Sequence, residues 1–137
     1  MKRAGAERPL RVVVVDDHED TRDMTAELLE AHGFEVRACA CVTTALVEIR
    51  ADRPDVLVTD LQLGHESGVD LAVAIRSDAS GVLVVAVTGT AHPDEATRDM
   101  FDAYCVKPID IDAFVDEVRR LARPPARAVL ALSWWAG

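Results

Sequence analysis

Aromatic residues are scarce in this chain of 137 residues: two Trp, one Tyr and three Phe, 4% of the total. A core must therefore be filled by Val, Leu, Ile and Ala, which the 50% apolar content allows. Basic residues are outnumbered, 15 Lys and Arg against 24 Asp and Glu, for a net charge of −9. That balance argues against binding nucleic acid, which needs a basic face. It suits a protein that meets cations or a basic partner. Long apolar runs are missing too. The longest, Val82 to Val87, is far short of the roughly 18 residues of a membrane span. Met1 to Arg8 carries charges with no apolar stretch behind it, unlike a secretory signal. A cytoplasmic location is therefore expected, with Cys39, Cys41 and Cys105 as reduced thiols. Cys39-Ala40-Cys41 lacks Cys-x-x-Cys spacing, and both cysteines are expected as small buried hydrophobes. The length leaves no room for a second effector domain of ordinary size.

What is present is an alternation. Apolar, β-branched runs stand at Val12–Val15, Val56–Thr59 and Val82–Val87, with weaker ones at Glu35–Cys39 and Tyr104–Val106. Continuous runs of this kind read as strands buried on both faces. Helical spacing lies between them. Val42, Ala45, Leu46 and Ile49 form one stripe, and Ile111, Phe114, Val115, Val118 and Leu121 another. Met24, Leu28 and Ala31 mark a helix that ends near Gly33, and Leu71, Ala72 and Ile75 mark one after Gly68. Ala96 and Met100 mark a short fourth helix opened by Pro93 and Asp94; Asp110 stands as an N-cap before the last. Five strand–helix units predict an α/β fold, a doubly wound five-stranded parallel sheet with a short fourth helix. The domain spans 10–122, with an N-terminal extension over 1–9 and an apolar C-terminal tail over 123–137.

The strands end in polar residues: Asp16-Asp17, Asp60, Thr88 and Lys107. In a parallel sheet all carboxyl ends share one edge, where ligands bind. Clustered carboxylates need a compensating cation, and an all-oxygen cluster suits Mg²⁺. Mg²⁺, an ammonium and a hydroxyl together suit a phosphoryl group arriving at an oxygen nucleophile. Asp60, alone on its strand, is the candidate nucleophile, forming an aspartyl phosphate. Asp16 and Asp17 are better placed to hold metal. Taken singly, these acids are ordinary strand-end residues, Lys107 a solvated charge and Tyr104 a half-buried aromatic; only their combination points to phosphoryl chemistry.

Val12-Val13-Val14-Val15-Asp16-Asp17, Asp60 followed by Gly68, Thr88-Gly89, and Tyr104-Cys105-Val106-Lys107-Pro108 together resemble the receiver domain of two-component response regulators, over roughly Leu10 to Ala122. The resemblance implies a flavodoxin-like fold with strand order 2-1-3-4-5. It implies that Asp60 accepts phosphate from a sensor histidine kinase or histidine phosphotransfer protein. It also implies Mg²⁺ bound by Asp17 and Asp60 directly, by Asp16 through water and by the Gln62 backbone carbonyl. Lys107 would contact the phosphoryl group, with a cis bond to Pro108. Thr88 and Tyr104 would be the switch pair, Gly89 would leave the phosphoryl group room, and Gln62 and Thr90 would tune phosphate lifetime.

Two departures stand out. Leu61-Gln62-Leu63-Gly64-His65-Glu66-Ser67 lacks the usual Met-Pro pair and the acid before the glycine. The Thr88–Lys107 stretch is two or three residues short, which predicts a short or partly unwound fourth helix. The expected function is a stand-alone receiver that switches binding to a downstream protein target and is not an enzyme beyond slow autodephosphorylation. The alternative is a receiver-like interaction module that signals without phosphate. A phosphatase of the haloacid dehalogenase type would want an acid where Gln62 stands. His18, His32, His65 and His92 show no metal-ligand spacing and read as surface residues, although His18 beside the acid pair could feel the site. Ala128–Leu132 with Trp134-Trp135 would suit packing on the domain's own surface, or a docking or homodimer patch.

Overall fold

The computed structural model describes residues 8–78, 81–89 and 94–122. Thr90, His92, Pro93 and the tail with its two tryptophans lie outside the described residues, as does the N-terminal extension apart from residues 8 and 9.

The elements run β1 (Arg11–Val15), α1 (Glu19–Ala31), β2 (Glu35–Cys39), α2 (Val42–Ala51), β3 (Val56–Asp60), β4 (Gln62–Leu63), β5 (Glu66–Ser67), α3 (Gly68–Asp78), β6 (Leu83–Thr88), α4 (Glu95–Asp99), β7 (Ala103–Val106) and α5 (Ile111–Ala122). Five strands form one parallel sheet in the order β2-β1-β3-β6-β7. Counting only these strands, that is the expected 2-1-3-4-5 order.

The β-branched runs explain the layering. On β1, β3 and β6, alternate side chains point to opposite faces. Val13, Val15, Leu57, Val84 and Ala86 pack with Ala45 and Ile49 of α2 and Leu71, Ala72 and Ile75 of α3. Val12, Val14, Val56, Val58, Val85 and Val87 pack with Leu29 of α1 and Phe114, Val115 and Val118 of α5. Both faces are covered, so the central strands read as unbroken apolar runs, whereas β2 at the edge is largely exposed.

Helix ends follow local chemistry. The Gly33 N–H donates to the Glu30 carbonyl and the Phe34 N–H to the Leu29 carbonyl, with Gly33 at φ 94°. This is a Schellman stop, and a side chain on residue 33 would resist that φ. The Ala113 N–H donates to Asp110 Oδ1 at 3.2 Å, so Asp110 caps α5 as expected. Asp94 caps α4 by accepting the Thr97 N–H at 2.7 Å. That bond holds the Asp94 carboxyl below its ordinary range. The α4 helix is only five residues long, as the short spacing predicts.

Three expectations need correction. The stripe Met24–Leu28–Ala31 is not the buried face of α1. Met24 is 57% exposed and Leu28 38%, while Thr25 and Leu29 are buried. The buried line runs one residue later, because Leu29 and Phe34 meet over the sheet beneath the Schellman turn. Cys41 is not buried like Cys39; it stands at the N-cap of α2, half-exposed. The segment after Asp60, read as a loop, contains the antiparallel β4–β5 hairpin, turned at Gly64 with φ 65°.

Candidate functional site

The parallel topology brings the carboxyl ends of β1, β3, β6 and β7 to one edge. Asp16 follows β1, Asp60 ends β3, Thr88 ends β6 and Lys107 follows β7. Lys107 Nζ donates to Asp60 Oδ2 at 2.8 Å and lies 3.9 Å from Asp16 Oδ2. Its backbone N–H donates to the Thr88 carbonyl at 2.8 Å, which ties the end of β6 to the end of β7. The Lys107–Pro108 bond is cis.

Each acid is held by its own surroundings. Asp16 is buried; its N–H donates to the Cys39 carbonyl and its carbonyl accepts from Arg22 at 3.1 Å. Asp16 Oδ1 accepts the His18 N–H at 2.9 Å. Asp60 Oδ1 accepts the Gln62 N–H at 3.3 Å. Asp17 is more open, and a side chain built at Gly64 would sit 3.7 Å from Asp17 Oδ2. Asp17, Asp60, Gln62 and Lys107 share one open depression, with Gly64 and Gly89 on its rim. A side chain at Gly89 would meet no atom within 4 Å.

The electrostatics are lopsided. Burial acts to lower the Lys107 pKa, but the hydrogen bond and charge of Asp60, helped by Asp16 and Asp17, outweigh it and raise the value. One ammonium therefore stands among three carboxylates. The donor set that remains, carboxylates around an open depression, fits a hard divalent cation. The arrangement can hold such an ion, present a carboxylate oxygen to an electrophile, and meet negative charge on that electrophile with Lys107.

Thr88 is buried at the end of β6. Tyr104, on the neighbouring β7, is half-buried against the α2–α3 core. The Arg98 guanidinium lies over its ring, 5.9 Å from the centroid. Thr90 cannot be placed, since it lies outside the described residues.

Several tertiary contacts support the site. Gly68 packs its Cα against the phosphoacceptor candidate's own backbone: a Cβ there would lie 2.1 Å from the Asp60 carbonyl oxygen. The Gly68 N–H donates to the Leu61 carbonyl at 2.8 Å. Glu66 accepts the Val42 N–H at 3.1 Å, anchoring the hairpin to the start of α2. The spacing from Asp60 to Gly68 was the only sequence signal for these contacts.

Comparison with known proteins agrees with this fold. The family model described as "Response regulator receiver domain" matches residues 12–119. The polar-differentiation response regulator DivK of Brucella anthropi is 29% identical over 116 residues, covering 81% of this chain and 94% of that protein. The probable transcriptional regulatory protein TcrX of Mycobacterium tuberculosis is 30% identical over 126 residues, covering 90% of this chain. The chain spans about half the length of TcrX and of several other curated relatives it matches. Among solved structures, a CheY-like receiver domain from Methylobacillus flagellatus superposes with a TM-score of 0.77 at 27% identity, over 84% of this chain and 99% of that one. TrrA from Thermotoga maritima, solved in complex with Mg²⁺-BeF, gives 0.76 at 25% identity, over 82% and 98%.

Proposed function

Because the chain belongs to the response regulator receiver domain family, we propose that it acts as a phosphorylation-dependent switch with Asp60 as the phosphoacceptor. A receiver is a signalling domain, not a classical enzyme. The observation that carries the reading is the 2.8 Å contact of Lys107 Nζ with Asp60 Oδ2, set beside Asp16 and Asp17.

In the transfer, an Asp60 carboxylate oxygen forms the new O–P bond as the P–N bond of a donor phosphohistidine breaks and the histidine leaves. Lys107 then meets the phosphoryl oxygens in place of the Asp60 oxygen it now holds. Asp16, Asp17, Asp60 and the Gln62 carbonyl are the groups that would hold Mg²⁺, which when bound neutralises their charge and that of the phosphoryl oxygens. The likeness to TrrA, solved with Mg²⁺-BeF, supports that choice of ion.

Thr88 and Tyr104 form the switch pair. A change from 1:99 to 99:1 needs about 5.5 kcal/mol of differential binding. Hydrogen bonds to a charged group contribute roughly 1.5–3 kcal/mol each. Thr88 and Lys107 together account for most of that. Gln62, which lines the depression, and Thr90 tune phosphate lifetime. Residues 10–122 are the receiver. The donor is a sensor histidine kinase or histidine phosphotransfer protein. The likeness to DivK across 94% of that protein supports a stand-alone receiver whose target is a separate protein. No helix among the described residues is long and apolar enough to cross a membrane.

Incubation with Mg²⁺ and acetyl phosphate, followed by intact mass measurement, tests the reading. One added phosphoryl group, absent in Asp60→Asn and without Mg²⁺, is expected. No adduct, or one that survives Asp60→Asn, overturns it.

A further inference from the structure

His18 is the member of the acidic cluster that phosphoryl transfer leaves unused. It is the N-cap of α1, yet its side chain makes no cap hydrogen bond. Its backbone N–H is tied to Asp16 Oδ1 instead, and the ring brings Nδ1 to 3.4 Å from Asp17 Oδ1 and 3.7 Å from Asp16 Oδ1. One donor atom each from Asp16, Asp17 and His18 lies within 4.8 Å of the other two. Two ligands at about 2.1 Å on adjacent corners of an octahedron are about 3.0 Å apart. The two distances from His18 Nδ1, 3.4 and 3.7 Å, lie within about 1 Å of that value. His18 also lines the same depression as Asp60 and Lys107.

We propose that His18 is a selective metal ligand: its Nδ1 joins Asp16 and Asp17 around a first-row transition ion but not around Mg²⁺. The proposal rests on reading the acidic cluster as a divalent-cation site. Mg²⁺ prefers oxygen ligands, keeps several waters and gains little from an imidazole. Co²⁺, Ni²⁺ and Zn²⁺ bind imidazole well. With oxygen donors alone the site holds these ions through its carboxylates; with His18 it prefers them further. The His18 side chain is 75% exposed, so its ring can engage an ion or leave it without disturbing the core.

Calorimetric titration of the full chain with MgCl₂ and with CoCl₂ tests this in wild type, His18→Ala, His65→Ala and Asp17→Asn. His65 is the control, an exposed imidazole between β4 and β5. His18→Ala should weaken Co²⁺ binding about tenfold or more. It should leave Mg²⁺ binding within about twofold and shift the visible absorption of bound Co²⁺ as a nitrogen ligand is lost. His65→Ala should change neither ion. Equal Co²⁺ affinities in wild type and His18→Ala, with Mg²⁺ binding intact, overturn the assignment of His18 and leave the cation site standing. Equal losses for both ions also overturn it, since they mark a role in holding the turn. A Co²⁺ loss confined to His65→Ala overturns it as well. If Asp17→Asn weakens neither ion, the cation site itself fails, and His18 with it.

Discussion

Lys107 Nζ stands 2.8 Å from Asp60 Oδ2, the product of a pairing between residues 47 positions apart in the chain. That ammonium offsets part of the repulsion among Asp16, Asp17 and Asp60. Lys107→Met should therefore destabilise the metal-free protein by about 1–2 kcal/mol, a figure reduced for the partial exposure of the lysine. Mg²⁺ should reverse the loss. At 100 times its Kd an ion contributes about 2.7 kcal/mol. Without a competing ammonium the variant should bind Mg²⁺ more tightly than wild type. Thermal melts with and without Mg²⁺ check both points. Phosphorylation by acetyl phosphate should still fall about 10²–10³-fold, since charge on the phosphoryl oxygens goes unmet.

The pH dependence of this pair has a definite sign. The Lys107 pKa is raised in the folded state. Its stabilisation is therefore fully present below the unfolded lysine pKa of about 10.4 and is lost as pH rises through the higher folded value. Asp60→Asn removes the main raising influence and should move the Lys107 titration to lower pH. NMR titration of the lysine side-chain signals would show this, and an unmoved Lys107 would contradict it.

Gly68→Ala should be among the most damaging single substitutions. The added Cβ would lie 2.1 Å from the Asp60 carbonyl oxygen and 3.1 Å from Thr59 Oγ1. Backbone, not a flexible side chain, stands in the way. A loss of about 3 kcal/mol or more is expected in urea denaturation. Phosphate uptake should fall as well, because any relief displaces Asp60.

The two faces of α1 predict opposite mutational outcomes. Leu29 is fully buried, and Leu29→Ala should cost about 2–5 kcal/mol. Met24 is 57% exposed, and Met24→Ala should change stability by less than about 0.5 kcal/mol. Chemical denaturation of the two variants separates the buried line seen here from the Met24–Leu28–Ala31 stripe.

The three cysteines should alkylate in a set order, because the thiolate is the reactive form. A hydrogen bond with Thr44, 3.1 Å from its Sγ, lowers the Cys41 pKa. Burial raises Cys105 and pushes Cys39 up to about 11. At pH 8 Cys39 therefore stays in the unreactive thiol form. Timed iodoacetamide labelling with peptide mapping should find Cys41 first, Cys105 later and Cys39 only on unfolding.

The strand runs and strand-end residues were legible in the sequence because both are periodic or positional signals. A strand buried on both faces must be continuously apolar, so Val12–Val15, Val56–Thr59 and Val82–Val87 declare themselves. A parallel sheet must gather its carboxyl ends, so Asp16, Asp60, Thr88 and Lys107 could be assigned to one edge before any distance was known. The caps at Gly33 and Asp110 were readable for the same reason, since their hydrogen bonds span only a few residues.

Tertiary structure alone decided what depends on contacts distant in the chain. Which line of α1 is buried turns on where Leu29 meets Phe34 and the sheet, and both candidate lines have helical spacing. The β4–β5 hairpin and its Glu66 contact with α2 carry no periodic signal in two-residue strands. That Gly68 must be glycine follows from the approach of the Asp60 carbonyl, not from φ. His18 is a surface histidine beside the acid pair, as its sequence position suggests, with its side chain 75% exposed. Only folding turned its Nδ1 toward Asp16 and Asp17, because the orientation of a ring is set by three-dimensional neighbours that spacing does not encode.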